Sequence, residues 1–255
     1  MTTAAGVAPR CAIVGAGRMG RALAAALADW DGPFGRGFDG SDADGQPYDV
    51  VLLAVPDAAI ATAAGAIRPG PLVGHTAGAI GLQVLSPHEA FGVHPLMTVP
   101  ATGADFRGAG AAVAGTTPRA LAAARSIAVR LGLDAFEIAD DDRPAYHAAA
   151  SIASNFLVAL EDAAEAVLAT TGAERRILVP LVRAAVDNWA AHGGPIALTG
   201  PIARGDEATV ARQRAAIETR TPELLAMFDT MCELTRGLAR RPAATSERPA
   251  SNEES

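Results

Sequence analysis

The sequence predicts an α/β protein, a parallel sheet followed by an all-helical region, on three observations. Continuous apolar runs such as "DVVLLAVPD" stop at Pro or Gly, as strands covered on both faces do. A glycine-rich turn separates the first such run from an amphipathic stretch. From Arg143 onward the pattern is helical, over about 144–171, 174–192, 206–220 and 222–240. These place a sheet domain over 1–142 and a helical domain over 143–241. The segment 242–255, rich in Pro, Ser and Glu, is expected to be a disordered tail.

The first strand is Cys11–Val14, and "GAGRMG" follows it. In a G-x-G-x-x-G turn the first glycine, Gly15, permits the tight bend. The second, Gly17, lets the backbone approach a pyrophosphate, and the third, Gly20, lets helix and strand pack closely. A helix from about Arg18 then presents its N-terminus to the phosphates. Strand, turn and helix in this order make a Rossmann-type dinucleotide fingerprint. Arg18 and Met19 in the turn, and Val55 and Pro56 after the third strand, are the neighbouring cofactor candidates.

The second strand is expected within Phe34–Asp39. Asp39 lies 19 residues beyond Gly20, about where an acidic residue holds the ribose 2′-hydroxyl of NAD. Arg36 and Arg18 argue for NADP, because a guanidinium matches the 2′-phosphate bidentately. The alternative is a Gly-rich surface connection whose charges are solvated. The cofactor reading leans to NADP, with NAD open.

"DVVLLAVPD" (49–57) reads as a central parallel strand. "PLVGHTAG" and "FGVHPLMT" repeat its pattern and run into His75 and His94, at the expected C-terminal strand ends where open α/β sheets bind ligands. Both are substrate-side candidates, with an ordinary loop position as the alternative. "AAVAG" and "AFEIAD" close the sheet. Asp140, Asp141 and Asp142 suit the N-terminus of the next helix, with Pro144 in its first turn and Gly172 as its stop.

Composition removes several function classes. Lys and Arg total 21 against 28 Asp and Glu, a formal charge of −7 with a pI near 5.2. With no basic run before the C-terminus, a nucleic-acid partner is not expected. No apolar run reaches the roughly 18 to 20 residues that span a bilayer, and the N-terminus lacks a signal-peptide pattern, so a cytoplasmic location is expected. Cys11 and Cys232 alone support neither a disulfide framework nor a cysteine-ligated zinc. His75, His94 and His147 lack carboxylate or Cys help at any local spacing, so no metal site is expected. All the basic residues are Arg. A Schiff-base lysine and a Walker lysine are therefore absent, and a general acid must be sought among His, Tyr, Asp and Glu.

"HAAASIASN" (147–155) lies in a run from Ala145 to Leu160 without Asp, Glu, Lys or Arg. At about 100° per residue His147, Ser151 and Asn155 share one helix face. An uncharged stretch of this kind is expected to be buried, and buried polar groups need partners. A self-satisfied core network is the structural alternative. In "LTGPIARGD", Asp206 suits the N-cap of the next helix. Arg204, with Thr199 on the same loop, offers a fork for a substrate carboxylate, an exposed surface arginine being the alternative.

The glycine turn with "LLAVPD", "GHTAG", "HPLMT", "YHAAASIASN" and "LTGPIARGD" resembles the Rossmann-like proteins with a DUF2520 C-terminal domain, relatives of the 6-phosphogluconate dehydrogenase-like reductases. The resemblance spans about 10–240. It implies a homodimer with a helical second domain and an NAD(P)H-dependent reductase. Ketopantoate reductases, which share the layout, carry Lys, Asn and Asn at i, i+4 and i+8 on the first helix of that domain, where this chain has His147, Ser151 and Asn155. "HPLMT" is similar to the His-Pro motif of prephenate dehydrogenases, and the layout resembles pyrroline-5-carboxylate reductases. The resulting expectation is a reductase of a small 2-oxo acid, ketopantoate first. His147 would be the acid, with Asn155 and Ser151 at the reacting oxygen and Arg204 at the carboxylate. An imine or prephenate-like oxidoreductase and a non-catalytic dinucleotide sensor are the alternatives.

Overall fold

A computed structural model describes residues 8–242. The tail expected over 242–255 lies, from 243, outside the described residues. Contacts divide the chain into two compact units, 1–155 and 156–255.

The first unit is built on a seven-stranded sheet: β1 (Cys11–Val14), β2 (Asp31–Phe34), β3 (Val50–Leu53), β4 (Leu72–His75), β5 (Ala90–Pro95), β6 (Gly110–Gly115) and β7 (Asp134–Glu137). Its order is β2-β1-β3-β4-β5-β6-β7. The strands from β2 through β5 run parallel, β6 pairs antiparallel with β5, and β7 runs parallel to β6. Helices α1 (Arg18–Ala26), α2 (Ile60–Ala66) and α3 (Pro118–Leu131) accompany the sheet, and α4 (Arg143–Ser151) closes the unit.

The continuous apolar runs are explained by burial on both faces. Ile13 and Leu52 join Leu23, Phe91 and Ile127 in one core, while Ala12, Val51 and Val73 join Ile60, Ile67 and Leu85 in the other. Burying such side chains contributes about 1.5–3 kcal/mol each, so this alternation fixes the sheet's register. Thr117 caps α3 by accepting from the Ala120 amide, Pro118 opens the helix, and Gly132 ends it in the left-handed conformation.

β2 lies earlier than the 34–39 expected. It follows directly on buried Trp30 and ends at Phe34, whose carbonyl accepts from the Gly15 amide at 2.8 Å. Phe34 and Phe38 do not alternate along a strand. Their rings stack, with centroids 4.3 Å apart, because the chain turns through Gly35–Gly37.

Residues 143–155, grouped from sequence with the helical domain, belong by contact to the sheet unit. Arg143 is the reason: its side chain is 1% exposed and bonds the sheet unit's loops. After α4 the helix takes a π turn over Ile152–Phe156. The second unit holds α5 (Leu157–Ala169), α6 (Val179–His192), α7 (Gly194–Ala197), α8 (Glu207–Arg220) and α9 (Leu225–Ala239). Its interior includes Ala163, Val210, Ile217 and Cys232, with Arg214–Asp229 and Arg236–Glu207 pairs outside. Asp206 caps α8 as expected, accepting from the Thr209 amide at 3.0 Å. Both cysteines are free and buried. Among the described residues no helix is long and apolar enough to cross a membrane.

Candidate active site

The three turn glycines divide their roles. Gly15 has φ +114°, and a Cβ there would meet the Ala54 carbonyl oxygen at 2.3 Å. A Cβ on Gly20 would stand 1.7 Å from the Gly15 oxygen. Both are required by close packing of β1, α1 and the end of β3. Gly17 differs, with an ordinary φ of −71° and nothing within 4 Å of where its Cβ would lie. It is the N-cap of α1, and no side chain caps that helix. The open approach and the uncapped N-terminus suit an anion. A groove of about 560 Å³ beside it is lined by Arg18, Arg21 and the 100–105 loop. Met19 packs against the core, Val55 is half-buried and Pro56 exposed.

Arg36 follows the end of β2 by two residues, and both it and Arg18 are exposed. Among the described residues neither is in an ion pair. Asp39 is engaged elsewhere: it pairs with Arg68 at 2.6 Å and accepts from the Ser41 amide at 3.0 Å. Arg36 thus follows by two residues the Phe34 carbonyl that bonds the Gly15 amide, whereas Asp39 is tied to Arg68.

At the C-terminal ends of β4 and β5 lies a cluster of imidazoles. His75 is fully buried. The Ala77 amide donates to its Nδ1 at 3.2 Å, leaving Nε2 protonated and facing the Gly81 carbonyl at 3.5 Å. Burial, then the Arg143 charge, pushes its pKa below the ordinary histidine value. With both nitrogens on backbone, His75 shapes the loop that follows it. His94 is half-buried, and its Nδ1 lies 2.7 Å from the Tyr146 hydroxyl. Its pKa is lowered to about 4, chiefly by burial and then by His147, Arg143 and His75. Burial pushes the Tyr146 phenol up. His147 is exposed, its ring centroid 6.2 Å from that of His94.

Gly78 allows these rings to converge: a Cβ there would meet His147 Cδ2 at 2.7 Å and His94 Nε2 at 2.9 Å. Arg143 anchors the helix that carries Tyr146 and His147. Its Nε donates to Asp140 at 2.8 Å and its Nη1 reaches the Ala77 carbonyl at 3.5 Å, while Nη2 is buried without a partner. Asp140 also accepts from the Leu82 amide at 3.0 Å, so one ion pair ties α4 to the segment after β4.

His147, Ser151 and Asn155 do not form the buried stripe expected. His147 and Asn155 are exposed and Ser151 half-buried, and the π turn breaks the α spacing between Ser151 and Asn155. Of the three, His147 meets the histidine cluster. Thr199 and Arg204 are exposed in the second unit. Sequence reasoning missed Tyr146, Gly78 and Arg143. A phenol beside His147 in an uncharged stretch was the available signal for the first, and an Arg at the start of that helix for the last.

Family models match a Rossmann-like domain over 42–100 and the DUF2520 domain of unknown function over 110–235. The chain is a Rossmann-like protein with a DUF2520 domain. The DUF2520 match begins at β6, so the family unit includes the last two strands and α3 as well as the helices. No curated protein matches the sequence. Among solved structures, protein TM1727 from Thermotoga maritima is 24% identical with a TM-score of 0.75, covering 90% of this chain and 98% of its own. The Plasmodium falciparum pyrroline carboxylate reductase with NADP bound is 14% identical, TM-score 0.54, covering 91% and 99%. The reductive aminase from Aspergillus terreus, in complex with NADPH and ethyl-5-oxohexanoate, is 15% identical, TM-score 0.60, covering 91% and 98%. At these identities the likeness is one of fold.

Proposed function

We propose that this chain is an NADPH-dependent reductase of a small carbonyl or imine compound. The observation that carries the reading is the convergence of His94, Tyr146 and His147 above Gly78, at the same sheet edge as an open glycine turn. In that turn Gly17 gives the pyrophosphate a backbone face, and Arg36 or Arg18 takes the 2′-phosphate while Asp39 is held by Arg68. The residues present therefore fit NADP better than NAD. Bound NADPH supplies the hydride. His147, exposed and next to His94, delivers the proton to the oxygen or nitrogen that receives charge. Ser151 and Asn155 supply further hydrogen bonds.

The specific substrate proposed is a 2-oxo acid, with 2-dehydropantoate the first to test. The imine reading is favoured by a separate observation: structures of similar fold are named as a pyrroline carboxylate reductase and a reductive aminase. We also assign the helical unit to homodimer formation, supported by Val158, Leu181 and Trp189, each more than 60% exposed. The functional test is an NADPH-oxidation screen against 2-oxo acids, cyclic imines and prephenate-like compounds. Turnover of one class, lost in His147→Ala, is the expected result. NADPH binding without turnover of any class would make the chain a dinucleotide sensor.

A further inference from the structure

Histidine 94 is neutral and can carry its one ring proton on either nitrogen. Its surroundings choose between them. Tyr146 Oη lies 2.7 Å from Nδ1, and no other hydrogen-bond partner of that hydroxyl is found among the described residues. If Nδ1 carried the proton and donated to the phenol oxygen, the Tyr146 proton would lack a protein acceptor in a half-buried setting. If the phenol donates to Nδ1, each group uses its better role, and Nε2 is left with the ring proton. The edge-on packing of the two rings, centroids 5.5 Å apart and planes at 90°, holds the pair in register, with Phe136 also edge-on to Tyr146 at 5.8 Å. Nε2 is the nitrogen nearest the gap that Gly78 leaves, beside His147.

We propose that Tyr146 is a positioning residue that fixes His94 as the Nε2–H tautomer, making His94 a catalytic residue that gives a neutral hydrogen bond to the substrate's reacting oxygen or nitrogen. This rests on the reductase reading for its catalytic part, but the tautomer is a property of the free protein. Division of labour follows. His94 stays neutral because burial and the neighbouring Arg143, His147 and His75 all disfavour a second proton, so it polarises the substrate without titrating. His147, exposed, keeps the proton-delivering role assigned to it above. Arg143 acts only through structure, by holding α4 so that Tyr146 reaches His94.

The test is ¹⁵N NMR of the cofactor-free full chain at neutral pH, with His94 assigned by its loss in His94→Gln. The proposal expects a protonated-type Nε2 and an acceptor-type Nδ1 in the wild type. In Tyr146→Phe the two shifts should move toward each other as the tautomers mix. A wild-type proton on Nδ1 overturns the proposal, and so does a His94 pattern unchanged in Tyr146→Phe. Should Tyr146→Phe not fold, the wild-type spectrum alone decides. In turnover, Tyr146→Phe should lower kcat by about 2- to 10-fold, the worth of one neutral hydrogen bond, with NADPH affinity unchanged. A correct tautomer in a chain that reduces nothing sinks the reductase reading and leaves the Tyr146 assignment standing. A correct tautomer with full activity in His94→Ala overturns the catalytic role of His94.

Discussion

Replacing Gly17 by Ala should separate cofactor binding from folding, and the neighbouring glycines provide the contrast. At Gly17 the backbone is in a region open to any residue, and a Cβ meets nothing within 4 Å. Stability should therefore change by no more than about 0.5 kcal/mol. At Gly20 the added carbon stands 1.7 Å from a backbone oxygen, so β1 and α1 must move apart. That overpacking costs about 1–3 kcal/mol, and Gly15→Ala adds the strain of a left-handed φ to a similar clash. If a pyrophosphate lies against Gly17, the new methyl displaces it from the α1 amides. One lost hydrogen bond to a charged group, about 1.5–3 kcal/mol, weakens NADPH binding roughly 10- to 150-fold. Calorimetric titration with NADPH, alongside thermal melts of all three variants, is the assay. Unchanged NADPH affinity in a well-folded Gly17→Ala protein would refute the assignment of the turn.

Further expectations concern the charges and the histidines. Arg36→Ala or Arg18→Ala should weaken NADPH far more than NADH in paired titrations, and equal losses for both cofactors in both variants would exclude a 2′-phosphate contact. His147→Ala should lower kcat by about 100- to 10,000-fold at unchanged NADPH affinity, and a near-normal kcat would make His147 a packing residue. The unfolded chain takes a proton at His94 near the ordinary value of about 6.5, whereas the folded chain resists it until about 4. Its contribution to stability is thus complete above about pH 6.5 and is lost as pH falls toward about 4, with His75 acting in the same direction. Urea midpoints across this window should fall less in His94→Gln than in the wild type, and parallel curves would contradict the burial argument. Arg143→Met should cost about 1.5–3 kcal/mol, the worth of the lost charged hydrogen bond, because exposed Asp140 stays solvated and keeps the Leu82 amide; a loss below about 1 kcal/mol by chemical denaturation would show that the pair does not anchor α4.

How much of this was readable from the chain depended on the range of the interactions. The first strand, its glycine turn and the runs ending in His75 and His94 were legible because burial on both faces writes a continuous apolar signal. β2 was not, since "DGPFGRGFDG" spends its aromatics on a Phe34–Phe38 stack across a Gly turn. The helices after Arg143 were legible from pattern, but the π turn at Ile152–Phe156 leaves no mark in spacing. Of the site, the presence of His94 and His147 could be read, and their convergence could not. It depends on Gly78 and on a Tyr146–His94 bond between residues 52 apart, brought together by the Arg143 anchor. Asp39 suited its spacing to the glycine turn, but Arg68, a distant cation, captured it.

Hydride transfer from NADPH to a small carbonyl or imine can be followed with NADPH deuterated at nicotinamide C4. After incubation with 2-dehydropantoate and with a cyclic imine carboxylate, the products are read by mass spectrometry. One product should carry one deuterium on the former carbonyl or imine carbon, absent when His147→Ala replaces the wild type at equal reaction time. Bound NADPH with no label in any product would contradict it.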